Sequence, residues 1–557
     1  MLIFTIIYFL IALLIYCYVI YPIFINDLNK QHIPGPYIYK FSKFFIYNKM
    51  RKEQGMLHVH NLHLKYGPIV QLSPNELSIT DLPVVRKIYL NDNYPKEFSH
   101  LTSNSKKIVK IEKGFYSQFG NFCNRNLFST GDTREHINKK KPLQKIYSKT
   151  FVLQHSKFLT EKINNLVDNL VSSKNQNVDV YSLFGALAMD VVTGFEFGFN
   201  NSSNFLNELD FQNPNLTYKN DVFESFRDSS SLWFWVCMTP QLYSFVSKWS
   251  GKDKSMEIGR KWIWGKIMQV VTNYTAEDLK KQDCTISVLY DRYDRDLAKI
   301  GSELADHTLA GADTTQTTLT YLMWQLARPA NKEWKQKLFD EVQSVFAIDP
   351  IDNHVIIDDY NKLDLQMPIM NAIIKENFRL HAAIPGSERR FVPNGEGLKV
   401  GGYKIKPGIV VSTQPYSLHR QNVFGDDLDE FKPERWLPFA KETVTDYQNR
   451  IKEFERHMMT FGQGNRMCLG MHLAVTEIKA CVASVFGNKQ LKNYEICKEW
   501  CNQIDAESKT TKMGYGNKLI DKFKDRQNYL ALSDTEKMRM ADSYTIRPLF
   551  DECWMTI

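Results

Sequence analysis

Residues 1–25, MLIFTIIYFLIALLIYCYVIYPIFI, contain no charged side chain. As a helix rising ~1.5 Å per residue they reach ~37 Å, enough to cross a bilayer core with some tilt. A cleaved secretory signal has a basic start, a shorter apolar run and a small-residue cleavage site; this stretch has none of these. Lys30, Lys40, Lys43, Lys49, Arg51 and Lys52 follow it, so the positive-inside rule puts the downstream chain in the cytosol. The pattern predicts a single N-terminal transmembrane signal-anchor over 1–25. The sequons at Asn201, Asn215 and Asn273 then face away from the glycosylation machinery and are chance occurrences in an Asn-rich chain. Ile33–Pro36, IPGP, is a stiff turn that cannot continue a helix, and 26–40 reads as a proline-containing hinge.

Beyond the hinge the apolar pattern changes period several times. Lys65–Asp81 alternates apolar and polar positions between turn signals and predicts a two-stranded hairpin. Residues 131–150 read as a basic helix broken or begun near Pro142. DVYSLFGALAMDVVTGFEFGF, 179–199, predicts an apolar helix ending at Gly194 or Gly198. Residues 229–265 are rich in aromatics: Trp233, Phe234, Trp235, Tyr243, Phe245, Trp249, Trp262 and Trp264. A long helix is predicted from about Asp296 to Arg328, stopped by Pro329. Short strands around Val410 and Val411 follow, and then an apolar helical run from Leu469 to Phe486. Residues 489–537 form an extended polar insertion rich in Lys, Asp and Asn. The whole is mainly α with small β-sheets, without internal repeats.

Composition narrows the class. Hydrophobic residues make up 43% and aromatics 13%, which suits a large globular core. Nine cysteines without close CxxC pairs point to reduced thiols in a reducing compartment. A net charge of +8 over 557 residues, with no nucleic-acid motif, argues for a local basic patch rather than a nucleic-acid surface.

The chemistry concentrates at FGQGNRMCLG, Phe461–Gly470. Gly462, Gly464 and Gly470 let the backbone turn tightly and approach a flat ligand. Arg466 offers a planar fork suited to a carboxylate, and the start of a helix supplies donors to an ionised Cys468. The spacing of Phe461, Gly464, Arg466, Cys468 and Gly470 resembles the haem-binding signature of the cytochrome P450 superfamily. The likeness is to its membrane-anchored, microsomal fungal and yeast members. It spans roughly 60–540, so 41–557 is read as one haem-thiolate monooxygenase domain. That overrides the three to four domains that length alone suggests.

The resemblance implies a set of roles. Cys468 would be the axial thiolate ligand of the iron of haem b, with Phe461 packed beside it and Arg466 paired with a propionate. His136 and Lys140, one helical turn apart, would hold propionates too, as would Arg390, for which place Arg389 is a rival. In AGADTT, Ala310 and Gly311 would lie against the cofactor. Asp313 and Thr314 match the family's acid–alcohol pair, which relays protons toward the co-substrate O2. Thr317 and Thr318 are expected to satisfy backbone carbonyls instead. Glu376 and Arg379, with Arg435 from FKPERWLPF, would complete a buried structural network. The aromatic 229–265 region would roof the pocket and dip into the membrane, and 540–550 would form the family's final hairpin, whose turn near Ser543–Ile546 would reach the pocket.

Electrons would come from NADPH through a separate NADPH–cytochrome P450 reductase, with cytochrome b5 as a second donor, since the chain has no dinucleotide fingerprint. Arg134, Lys139, Lys141 and Lys145 would form the docking patch. The implied activity is insertion of one oxygen atom into a lipophilic small molecule at the cytosolic face of the endoplasmic reticulum. An isomerase or dehydratase working without external electrons, and a haem protein that binds or senses a ligand, remain the alternatives.

Overall fold

The computed structural model describes residues 2–101, 108–112, 114–209, 221–222, 225–226, 233–240, 242–243, 245, 252–497 and 532–557. The uncharged N-terminal stretch is one exposed helix: α1 (Leu2–Ile15) continues as a wider-turned helix over Tyr16–Ile25. Phe4–Pro22 is long and apolar enough to cross a membrane, and of its described side chains only Pro22, at the end, is buried against the rest of the chain. Residues 26–40 are packed down. Leu28 and Ile33 are buried in a core with Leu77 and Val411. The Gln71 N–H donates to Pro34 O at 2.8 Å. Gly35 is required there because a Cβ would sit 2.7 Å from Gln71 O.

α2 (Gly55–Tyr66) leads into β1 (Ile69–Ser73) and β2 (Glu76–Ile79), the antiparallel hairpin that alternation predicts. α3 (Thr133–Leu143) starts at the Asp132 cap, whose side chain accepts from Glu135 N. Pro142 lies in its last turn and a second short helix, Lys149–Gln154, follows. α4 (Val180–Phe197) is buried along its whole length and ends at Gly198, φ +98°. A helix apolar all round belongs inside a core. α5 (Leu297–Ala327) spans 31 residues from the Asp296 cap. It packs along α4 because Gly311 has no side chain: a Cβ there would lie 2.6 Å from Val192 Cγ2.

α6 (Pro368–Leu380) carries Glu376 and Arg379. β3 (Glu388–Phe391) and β4 (Val410–Thr413) complete a four-stranded sheet, with β4 parallel to β2 and antiparallel to β3. α7 (Met471–Gly487) follows the cysteine loop. The last hairpin is β5 (Met540–Ser543) and β6 (Thr545–Pro548), with Tyr544 at the turn, φ +74°.

Parts of the sequence reading change in three dimensions. Trp233 and Phe234 are buried, and Trp262 packs tilted against Phe205 and edge-on to Phe226, with ring centroids 5.8 and 6.2 Å away. These rings pack inward rather than toward lipid; Phe245 and Trp264 are exposed. Trp249 and residues 498–531 of the polar insertion lie outside the described residues.

Candidate active site

A cavity of about 260 Å³ lies between the cysteine loop and α5. Cys468 is held by its own N–H, which donates to Phe461 O at 2.8 Å. Gly462 and Gly464 take φ of +71° and +66°, a region L side chains avoid. A Cβ on Gly464 would meet Tyr89 O at 2.3 Å. Gly470 has neither reason to be glycine: its φ is −82°, and the nearest atom to a Cβ is 4.0 Å away. Its N–H instead donates to the Cys468 sulfur, which opens into the cavity. Burial pushes the Cys468 thiol up, and the Gly470 N–H and Lys140 act against it. The Phe461 ring stands edge-on to Phe378, centroids 5.4 Å apart.

The opposite wall is the face of α5 carrying Ala310, Gly311, Thr314, Thr315 and Thr318. Thr314 Oγ1 donates to Ala310 O and Thr318 Oγ1 to Thr314 O, each at 2.8 Å. Thr317 also satisfies a backbone carbonyl, one outside its own helix. Its hydroxyl donates to Ile546 O at 2.9 Å and ties the final hairpin to α5. Asp313 is half-buried and is not among the residues lining the cavity. Tyr544 reaches the cavity from the hairpin turn and packs among Phe115, Phe119 and Phe128, centroids 5.2–6.0 Å away.

One edge of the cavity is crowded with basic groups: His136, Lys140, Arg390 and Arg466, joined by Lys96. Arg466 donates to Thr130 O and Gly131 O at 2.6 and 2.7 Å, and Lys140 to Asn465 O and Met467 O at 2.9 and 2.5 Å. Lys96 is seated on the faces of Tyr116 and Phe128, 3.8 and 4.0 Å from their centroids. Of the two rival arginines only Arg390 lines the cavity; Arg389 pairs with Glu76 at 2.8 Å. Burial and then the neighbouring positive charges of Arg466 and Lys96 drive His136 down to about 2. Burial and Arg390 bring Arg466 down to about 10. His136 Nδ1 has no hydrogen-bond partner. Arginine and lysine so placed call for anions, the neutral His136 can offer a hydrogen bond, and a flat group carrying two carboxylates fits both the charge and the cavity. The residues present therefore fit haem. Lys96 sits in no motif, so the sequence offers no signal for it.

The same holds for Asp306 and His307, which also line the cavity. His307 stands between Glu196, 3.4 Å from Nδ1, and Glu303, 4.0 Å from Nε2. Burial disfavours its charged form, but Glu196, and after it Glu303 and Asp306, outweigh this and raise it to about 9. Glu303 also draws in Lys139, 3.5 Å away, whose Nζ donates to Arg125 O. Lys139 is thereby removed from the expected docking patch, while Arg134, Lys141 and Lys145 are exposed.

Glu376, Arg379 and Arg435 meet in a buried knot. Arg435 Nε donates to Glu376 Oε1 at 3.2 Å and Trp436 Nε1 to Oε2 at 2.9 Å. Arg379 Nη1 reaches His419 O at 3.1 Å. Burial and nearby Arg420 and Arg379 hold His419 down to about 3. It is therefore neutral, donating through Nδ1 to Arg379 O and accepting from Met459 N at 2.8 Å. That bond joins the knot to the start of the cysteine loop.

A family model described as Cytochrome P450 matches residues 34–498. The cytochrome P450 monooxygenase tazI of Aspergillus terreus is 25% identical over 485 residues, covering 84% of this chain and 88% of the relative. The cytochrome P450 monooxygenase astB of the same fungus is also 25% identical, covering 86% and 88%. The cytochrome P450 monooxygenase mfmF of Annulohypoxylon moriforme is 25% identical, covering 86% and 92%.

Proposed function

This chain belongs to the cytochrome P450 family, and on that footing we propose that it is a membrane-anchored haem-thiolate monooxygenase acting on a lipophilic small molecule. The observation that carries the reading is the meeting, around one cavity, of Cys468, the Ala310–Thr314 face and the basic side chains of one edge. Cys468 would ligate the iron of haem b, with Phe461, Gly462, Gly464 and Gly470 shaping the loop beneath. Ala310 and Gly311 would lie above, and His136, Lys140, Arg390, Arg466 and Lys96 would face the propionates. When bound, thiolate-ligated haem supplies the activation of O2, with sulfur electron density favouring O–O cleavage.

The chain's own residues position and protonate. The Thr314 hydroxyl, held by Ala310 O, can turn to carry a proton into the cavity, and Asp313 beside it is the acid that reloads it. Phe128, Tyr544, Leu127 and Ile384 exclude water from the far side. Electrons come from NADPH through a separate reductase, with cytochrome b5 as a further donor, docking on the exposed Arg134, Lys141 and Lys145. The N-terminal helix over 1–25 anchors the protein in the endoplasmic reticulum, 26–40 joins it to the catalytic domain, and 41–557 stands on the cytosolic side.

The test is the carbon monoxide difference spectrum of the reduced, membrane-bound protein beside Cys468→Ser. A thiolate-type Soret band in the first and not in the second supports the reading. A band unaffected by the substitution overturns it. Turnover with reductase and NADPH then separates a monooxygenase from an isomerase, a dehydratase or a ligand-binding haem protein.

A further inference from the structure

Asp542 stands on β5, just ahead of the turn that carries Tyr544. Its side chain is buried, and Oδ2 accepts the Met56 N–H at 2.7 Å, from a residue 486 positions back along the chain. That N–H lies in the first turn of α2, where backbone donors have no partner within the helix. Gln54, the residue ahead of α2, makes no side-chain bond to it. A Cβ on Gly55 would lie 3.0 Å from Asp542 Oδ2, so the glycine leaves room for the carboxylate. A Cβ on Gly386, in the loop between α6 and β3, would lie 3.7 Å from Oδ1. On the β6 side, Thr317 and Ala383 hold Ile546, and Arg547 pairs with Glu53 and Asp551 at 2.9 Å each. Between these ties Tyr544 takes φ +74°, which a bulky side chain avoids and keeps only where its surroundings over-determine it. Its side chain lines the cavity.

Resting on the haem reading above, we propose that Asp542 is a positioning residue for the cavity wall. By docking β5 on the start of α2 it fixes the turn, and the turn sets where the Tyr544 ring meets a lipophilic substrate. Phe115, Phe119 and Phe128 back the ring, so a turn that shifts takes the ring off its seat. The bond to Met56 N is charge-assisted while the carboxylate is ionised. Burial raises Asp542 to about 6, with the Met56 N–H and the Arg389 guanidinium pulling it down. Glu53 also faces it; burial raises Glu53 too, against its partner Arg547. The hold on β5 is therefore complete well above that value and weakens as pH falls through it.

The experiment uses the full-length haem-loaded protein and 1-(phenylalkyl)imidazoles of graded chain length, whose ring nitrogen binds the iron and shifts the Soret band. Affinities are taken relative to 1-methylimidazole, so titration of the imidazole ring, which both share, cancels in the ratio. Tyr544→Ala identifies the chain length at which the phenyl group meets that ring, expected as a loss of about threefold to tenfold, the span of an aromatic pair. At that length Asp542→Leu should lose as much. Asp542→Asn, whose amide oxygen can accept the Met56 N–H, should bind as wild type does. The double variant Asp542→Leu/Tyr544→Ala should be no weaker than either single one, because both remove one contact. The wild-type preference should also fall from pH 7.5 to pH 5.5 while that of Asp542→Asn stays flat, which assigns the titration to Asp542 and not to Glu53. A wild-type preference in Asp542→Leu, losses that add in the double variant, or no length at which Tyr544→Ala weakens binding overturns this inference alone. No Soret shift with any imidazole overturns the haem reading and this inference with it. If Asp542→Leu does not retain haem, the pH series decides, and a wild-type preference flat from pH 7.5 to pH 5.5 overturns the assignment.

Discussion

Arg379 grips Glu376 through two parallel hydrogen bonds, Nε to Oε2 at 2.9 Å and Nη2 to Oε1 at 2.8 Å, with both side chains fully buried. Arg435, Trp436 Nε1 and Lys432 N also donate to the same carboxylate. Glu376→Ala leaves two buried guanidinium groups without their shared anion. The expected loss is about 3–5 kcal/mol of stability, seen in denaturant unfolding. Arg379→Lys should lose haem as well, because an ammonium cannot reproduce the fork. A variant as stable and as haem-loaded as wild type would refute the role.

The thiolate assignment gives the sharpest spectral outcome. Cys468→Ser replaces a soft, charged ligand by a hydroxyl, and the thiolate-type Soret band of the reduced carbon monoxide complex should vanish. Cys481, buried on α7, is the comparison: Cys481→Ala should keep the band.

Thr314 and Asp313 should separate by phenotype. Thr314→Ala removes the hydroxyl that faces the cavity, so product per NADPH should fall tenfold or more, within the span of positioned proton transfer, while peroxide release rises. Asp313→Asn should slow NADPH consumption itself and enlarge the solvent deuterium effect. Equal coupling in wild type and Thr314→Ala would rule out the relay.

Charge reversal at Arg134, Lys141 and Lys145 should reduce the rate of reductase-driven haem reduction and flatten its salt dependence, since exposed charges steer encounter. Lys139→Glu should behave differently. It would oppose Glu303 across 3.5 Å and lower thermal stability, leaving the salt dependence of reduction as in wild type.

His307 predicts a pH-dependent stability. Its folded value, raised to about 9, exceeds the ordinary histidine value near 6.5, so folding favours the protonated ring. That contribution is fully present below about pH 6.5 and is lost as pH rises through about 9. His307→Gln should therefore be more destabilising at pH 6.5 than at pH 9.5 in thermal unfolding. A difference independent of pH would show that the ring is not an imidazolium between Glu196 and Glu303.

Much of this protein is legible in one dimension because the governing constraints are local. An uncharged run of 25 residues, the caps Asp132 and Asp296, the stop at Pro329 and the left-handed glycines at 462 and 464 each act within a few residues. Contacts between elements are not local. Gly311, expected against the cofactor, lines the cavity and also lets α4 approach at Val192. Lys139, expected in the docking patch, has its ammonium drawn in by Glu303 from another helix.

The sequence by itself determined the family, the mainly helical architecture, the apolar N-terminal helix and the identity of the cysteine loop, because spacing along the chain carries all four. Only the tertiary structure decided which cations share an edge of the cavity, that Lys96 joins them, and that Arg390 rather than Arg389 lines it. It alone brought His307 between Glu196 and Glu303 and left Asp306 open to the cavity. These groups come from segments tens to hundreds of residues apart. Burial and electrostatic coupling depend on distance through space, and no periodicity or motif in the chain encodes that distance.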